Sequence, residues 1–274
     1  MLAELRRSTQ AEMETEIGRK QQQKKANKGQ EPAEEGRRRG GARPRVPNKV
    51  GLNRFAWDLR YPDAVSFHNL IMWDGSTRGP TAVPGRYEVR LTVNGASQTQ
   101  AFTLQKDPRV HATQKDLDDQ FALLLKVRDR LSAANDAVRT IRNVVWQLDQ
   151  RKAKAPAGFA DQAGQLETKL EAIEAELYQV NNRASEDPLN FPIRLNNKIA
   201  ALGSSIASAD ARPTAQHEAV FRVLSAQLDR ELSTLKQTLD AGLAPLNAAL
   251  QGAGLVAVVP STAEPPTKDT AEIE

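Results

Sequence analysis

Apolar positions change their period along this chain of 274 residues. Over 1–49 there is hardly a pattern: between Ile17 and Val46 no large apolar residue occurs. Such a stretch cannot bury enough apolar surface to offset the entropy of ordering it. It reads as a disordered arm or linker, transiently helical over 1–28 where Ala, Leu, Glu, Lys and Gln favour helix. From 50 to 108 the period is two. Asn53-Arg-Phe-Ala-Trp-Asp-Leu59 alternates and predicts a strand. Pro84-Gly85 suits a type II turn. Tyr87, Val89, Leu91 and Val93 then share one face, Asn94-Gly95 is a strong hairpin signal, and Phe102 and Leu104 share a face on the return. This predicts a small antiparallel β module with an irregular Trp/Gly/Pro-rich excursion over 61–80. Three strands are clear and the pattern leaves room for one more, where a sandwich needs about seven. Either the sheet is minimal and packs on helices, or strands that belong to it lie outside this chain.

After Asp107-Pro108 the period becomes helical. Thr113-x-x-Asp116 predicts a capping box with Asp in place of Glu. Leu117, Leu124, Leu131, Val138 and Val145 recur every seven residues. So do Gln120, Val127, Ala134, Ile141 and Leu148, which completes a five-heptad apolar seam of the bundle or coiled-coil kind. Pro156 breaks it. A second helix follows on Phe159, Ala163, Leu166, Leu170, Ile173, Leu177 and Val180. A third carries Leu195, Ile199, Leu202 and Ile206. A fourth opens near Pro213, carries Val220, Leu224, Leu228, Leu235 and Leu239, and bends near Pro245. Four helices on short loops predict an up-down antiparallel bundle over 113–255. The Pro/Thr/Glu-rich tail over 256–274 reads as disordered.

Composition narrows the chemistry. The chain has no cysteine, which excludes disulfides, thiol nucleophiles and thiolate metal sites. The three histidines, His68, His111 and His217, are too scattered for a metal cluster. No apolar run reaches the roughly 18 residues of a membrane helix, and the start shows no secretion signal. Residues 1–49 hold 13 Lys+Arg and 7 Asp+Glu, against 25 and 27 in the rest, so the basic character belongs to the arm. No aromatic interleaves those basic residues to stack a base, so nucleic acid is not an expected partner. Phosphate-cradling and nucleophile-elbow motifs are absent, and no Glu-x-x-His pair lies on an apolar helix face. No catalytic, cofactor-binding or metal-binding residue is assigned.

Unusual chemistry concentrates in the β module, which holds seven of the 13 aromatics. Trp57-Asp58 and Trp73-Asp74 place carboxylates beside indoles, with Arg60 close by. An indole stacks on a sugar ring while Asp and Arg bond its hydroxyls. Trp57, Asp58, Arg60, Trp73 and Asp74 are therefore the candidate carbohydrate or partner contact. The competing reading makes both indoles the core of a small sheet, with the Asp side chains satisfying turn N–H groups. A two-carboxylate hydrolase built on Asp58 and Asp74 is the enzymatic alternative.

Gly51-Leu-Asn-Arg-Phe-Ala-Trp-Asp-Leu-Arg-Tyr-Pro-Asp-Ala64 resembles a segment that follows the β-propeller in bacterial sortilin-like, BNR (Asp-box) repeat proteins, often labelled glycosyl hydrolases. Gly79 to Leu91, Asp107-Pro-Arg-Val110, Asp116-Leu-x-x-Gln-Phe121 and Arg128-Asp-Arg-Leu131 continue the resemblance, which covers about 50–255. The Asn-x-Phe-x-Trp-Asp and Val-Pro-Gly-x-Tyr pieces also resemble the Ig-like domain of flagellar hook-capping proteins. The resemblance implies an exported protein. It also implies an α+β architecture: an Ig-like β module, incomplete by the strand count, then the helical bundle. One blade takes about 40–45 residues, so 1–49 cannot supply a propeller, and no catalytic residue of the family can be placed on this chain. The expected function is that of a non-catalytic accessory region engaged in docking or surface binding. Its expected partner is the upstream propeller or a partner strand. A carbohydrate-active site at Trp57 and Trp73 is the first alternative. The second is a self-associating scaffold, a homodimer that pairs the 117–148 seam between chains.

Overall fold

The computed structural model describes residues 46–266. The arm expected over 1–49 lies outside the described residues up to 45. Two strands form one antiparallel hairpin, β1 (Gly85–Val93) and β2 (Ala96–Leu104). Tyr87 faces Phe102, Val89 faces Gln100 and Val93 faces Ala96. Asn94 and Gly95 turn the chain with φ of 50° and 83°. Two successive positive φ values suit the right-handed twist of the strands, and Asn and Gly adopt them at little cost.

The strand expected over 53–59 is not formed. The bridge Arg60–Thr81 is all that pairs near it. Its alternation is real, but Leu59 at φ 61° ends the extended run, and Phe55 projects into solvent. Pattern alone cannot make a strand where no neighbouring strand accepts its ladder. Among the described residues the class is α+β, a two-stranded sheet and four α-helices.

Those helices are α1 (Gln114–Lys152), α2 (Phe159–Leu177), α3 (Leu195–Ile206) and α4 (Ala215–Gly252). At 1.5 Å per residue α1 runs about 58 Å. Its capping box is formed: the Thr113 hydroxyl accepts from the Asp116 N–H, and the Asp116 carboxylate accepts from the Thr113 N–H. Helix α4 starts on a similar device, with Thr214 capped reciprocally by His217.

The helices make three passes rather than the four of an up-down bundle. Arg142 pairs with Glu174 and Lys152 with Glu167, so α2 descends as α1 ascends. Asn135 meets Asn196 and Gln120 meets the Ile206 carbonyl, so α3 also descends, alongside the earlier half of α1. Helices α2 and α3 are thus two halves of one returning pass, interrupted by residues 178–194. Helix α4 then ascends, with Arg130 bound to Asp229 low on the pair, and Gln147 and Asn247 on adjacent tail residues high on it. The sequence arithmetic of four helices hid this, since α2 and α3 together are needed to match α1 in length.

One apolar core runs between the passes. Leu131, Val138, Ile141 and Leu148 of α1 are at most 2 % exposed, against Leu170, Leu177, Ile199, Leu228 and Leu250. The seam expected from the heptads is therefore filled from within the same chain. Helix α4 runs through Pro245 to Gly252. Proline there removes one backbone hydrogen bond, while Leu243, Leu246 and Leu250 stay buried around it. Gly242 allows the close approach: a Cβ there would meet Leu166 at 2.6 Å.

A second, smaller core joins the hairpin to the first turns of α1. It consists of Tyr61, Ala82, Val83, Tyr87, Leu117 and Phe121. Of the tail expected to be disordered over 256–274, residues 256–266 are placed and 267–274 lie outside the described residues. Val258 is 1 % exposed in the main core.

Candidate functional site

The five residues singled out from sequence are held by different elements. Trp57 lies edge-on to Tyr87, with ring centroids 5.8 Å apart, and to Phe102 at 6.4 Å. Its indole N–H donates to the Arg60 carbonyl at 3.0 Å. The Asp58 carboxylate accepts from the Arg60 N–H at 3.0 Å, a two-residue turn of the Asx kind. The Arg60 guanidinium donates to the Gly79 carbonyl at 2.8 Å, which fastens one end of the 61–80 excursion to the other. These three residues have the contacts of a structural turn at the hairpin's base.

Trp73 and Asp74 belong to a turn on α3. The Trp73 N–H donates to Asn197 Oδ1 at 2.7 Å, and Asn197 Nδ2 donates to the Trp73 carbonyl at 2.6 Å. Gly75 lets that turn lie flat, since a Cβ there would sit 2.8 Å from the Ala200 Cβ. Asp74 itself is at φ 47° and exposed. Trp73 is 41 % exposed. The structure shows no ring contact between the two indoles, since Trp57 is engaged with the hairpin and Trp73 with α3.

Polar side chains on and beside the helices hold part of the excursion, next to its own backbone pairs Tyr61 to Pro80 and Ala64 to Thr77, and the heptad reading passed over them. The Ser132 hydroxyl accepts from the Val65 N–H at 3.1 Å, and Asn135 Nδ2 donates to the Val65 carbonyl at 2.6 Å. Asn135 is completely buried and also accepts from Asn196 Nδ2 at 3.1 Å. The Tyr178 hydroxyl accepts from the Ile71 N–H and donates to the Asn69 carbonyl. A loop without strands has few backbone partners of its own, and side chains satisfy groups that those partners do not reach.

A different arrangement emerges where the excursion, α1 and the tail meet. The Arg142 guanidinium lies 4.7 Å above the Phe67 ring and 5.5 Å from that of Tyr178. The same group donates to Glu174 at 2.8 Å. Burial pushes the Tyr178 phenol above its ordinary range. Beyond this stack opens a hollow of about 500 Å³, lined by His68, Arg139, Arg183 and Asn182, with Glu264 at its edge. The Glu264 carboxylate accepts from the His68 N–H at 3.2 Å and faces Arg139 Nε at 3.8 Å.

Glu264 ends a run of contacts between tail and α1. Arg151 donates to the carbonyls of Val256 and Ala257. Gln147 donates to the Val259 carbonyl at 2.7 Å and accepts from its N–H at 3.1 Å. Asn143 donates to the Ala263 carbonyl at 2.8 Å. From across the groove, Asn247 of α4 does for Val258 what Gln147 does for Val259, at 2.7 and 3.0 Å. The spacing 139, 143, 147, 151 is one polar residue per turn on one face of α1. That stripe was visible in the sequence, but nothing there told it from a solvated face.

Among the described residues no group of three His, Asp or Glu side chains could hold a metal ion, and no helix is long and apolar enough to cross a membrane. Comparison with family models, with curated proteins and with solved structures finds no match.

Proposed function

We propose that this chain is a non-catalytic interaction module whose hairpin docks against a β layer of a partner domain. The observation that carries this reading is the bare half of the hairpin. Val89, Leu91 and Val93 are 55, 49 and 54 % exposed. They share a face with Tyr87 and Phe102, against which the Trp57 ring packs. The stripe is thus continuous with an apolar contact already made inside the chain, and that packing ends after its first rung. Its side chains are aliphatic and alternate at two residues, which suits packing against another sheet layer. A sugar would ask for exposed rings. An isolated two-stranded hairpin is at best marginally stable in water, and strand edges of this kind invite pairing.

The resemblance to the region after the propeller in BNR-repeat proteins agrees with such a role. There the β module would be an Ig-like domain completed by strands preceding it, and the partner layer would belong to the propeller protein. The helical passes would then act as a stiff support that presents the hairpin.

The test places a photo-crosslinking residue at Leu91 of the full chain in its source cells, with a control at Thr99 on the opposite face. Crosslinking from Leu91 alone to a protein identified by mass as a β domain is the expected result. A second copy of this chain as the sole product would replace the partner domain by a homodimer. Equal yields from both positions, or none, would overturn hairpin docking. Sugar release by the pure chain that Asp58→Ala abolishes would overturn the non-catalytic assignment.

A carbohydrate contact is the second reading, and the exposed Trp73 is what favours it. Since Trp57 is committed to the hairpin, that contact would be a single indole rather than a two-ring platform. An indole fluorescence change on adding oligosaccharide, lost in Trp73→Ala, is its sign.

A further inference from the structure

The groove between α1 and α4 has the construction of a peptide-binding site, and we infer that residues 256–264 of this chain are its resident ligand. Three observations carry this. The first is regularity. Arg151, Gln147, Asn143 and Arg139 meet the tail in descending order as the tail advances from 256 to 264. An extended segment therefore runs antiparallel to α1, contacted once per helical turn.

The second is the mode of contact. Val258 and Val259 each have both backbone groups bound by one side-chain amide, from Asn247 and Gln147 respectively. An amide that donates to a carbonyl and accepts from the N–H of the same residue imitates the rung of a β ladder. This recognises extended main chain, as strand addition to a sheet edge does. A terminal segment that merely covered the core would need only Val258, which is buried, while Val256 and Val259 are largely exposed.

The third is the end of the run. Glu264 lines a hollow together with Arg139 and Arg183, with the Arg142–Phe67 stack as its wall. That hollow is larger than one carboxylate fills. The recognised chemistry is an extended segment with one aliphatic anchor and an acidic side chain six residues later. Its main chain is bound to α1 and α4 through their side chains, so such a segment can leave and be replaced by an identical one in trans.

Fluorescence anisotropy of a labelled synthetic peptide of residues 254–266 tests this on the full chain. Val258→Asp in the protein releases its own tail and empties the groove. The peptide should bind this variant at least about tenfold more tightly than the wild-type chain, whose groove is filled. Adding Gln147→Ala should lower that affinity about tenfold, the effect of losing a pair of hydrogen bonds. Glu264→Gln in the peptide should weaken binding as well. No binding to a Val258→Asp chain of native circular dichroism would overturn the inference, and so would binding that Gln147→Ala leaves unchanged. Should Val258→Asp fail to fold, hydrogen exchange of the wild-type chain decides. Val258 and Val259 amides that exchange by local opening, faster with added peptide, support the site. Exchange only through global unfolding overturns it.

Discussion

Tyr87 is the residue on which the hairpin's hold depends. It faces Phe102 across the ladder, takes the edge of Trp57, and donates its hydroxyl to the Val83 carbonyl at 2.6 Å. Burial first, then the neighbouring Tyr61 and Asp118, push its phenol up to about 12. In the unfolded chain a tyrosine ionises near pH 10. Between about pH 10 and 12 the unfolded state therefore releases a proton that the folded state keeps. This contribution to stability is whole below pH 10 and is lost as pH rises to 12. Denaturant midpoints measured at steps from pH 9 to 12 should fall over that window, and Tyr87→Phe should shrink the fall. An equally steep decline in Tyr87→Phe would place the titration elsewhere.

The same scale shows what the sequence could and could not disclose. Tyr87's face was legible from alternation, because a period of two places side chains without knowledge of their neighbours. Asn135, Asn197 and Gln147 were not legible. Each is a polar residue whose partner is a backbone group 70, 124 or 112 positions away. Nothing local announces such a partner. Trp57-Asp58 and Trp73-Asp74 look alike as dipeptides, yet one closes a turn under the hairpin and the other lies on α3.

Among elements, α1 was the most legible, since its capping box and its seam both follow from local rules. The Thr113 hydrogen bonds hold the Asp116 carboxyl below its usual range. A depressed carboxyl stabilises the fold above the unfolded value near pH 3.9 and stops doing so as pH falls through the folded one. Thr113→Ala should cost about 1 kcal/mol at neutral pH. The difference from wild type should narrow in acid as Asp116 is protonated, measured by urea denaturation at pH 7 and pH 3. A cost that stays constant with pH would separate the cap from the carboxylate. The remaining element-level surprises have one origin. The 53–59 alternation lacked a neighbouring strand, and the tail acquired one in effect, from the amides of α1 and α4. Whether an extended segment is ordered depends on what lies beside it, which pattern along the chain does not contain.

Across the whole molecule, the two cores divide the work. The main core fixes three helical passes. The small one, centred on Phe121 and Tyr61, whose rings lie 4.8 Å apart, attaches the hairpin to the start of α1. An element held by few buried residues opens at lower free energy than one inside the main core. Phe121→Ala should therefore release the hairpin before it weakens the helices. By hydrogen exchange, amides of β1 and β2 should lose protection while the centre of α1, around Val138 and Ile141, keeps most of its own. Leu148→Ala, at a fully buried site between the passes, should instead lower protection throughout α1, α2 and α4, at a cost of about 2–5 kcal/mol. If Phe121→Ala lowered protection in hairpin and helices alike, the cores would be one cooperative unit. The hairpin could then not act as a separately hinged docking surface, because every adjustment of it would be transmitted along 58 Å of α1, the length its 39 residues give at about 1.5 Å each.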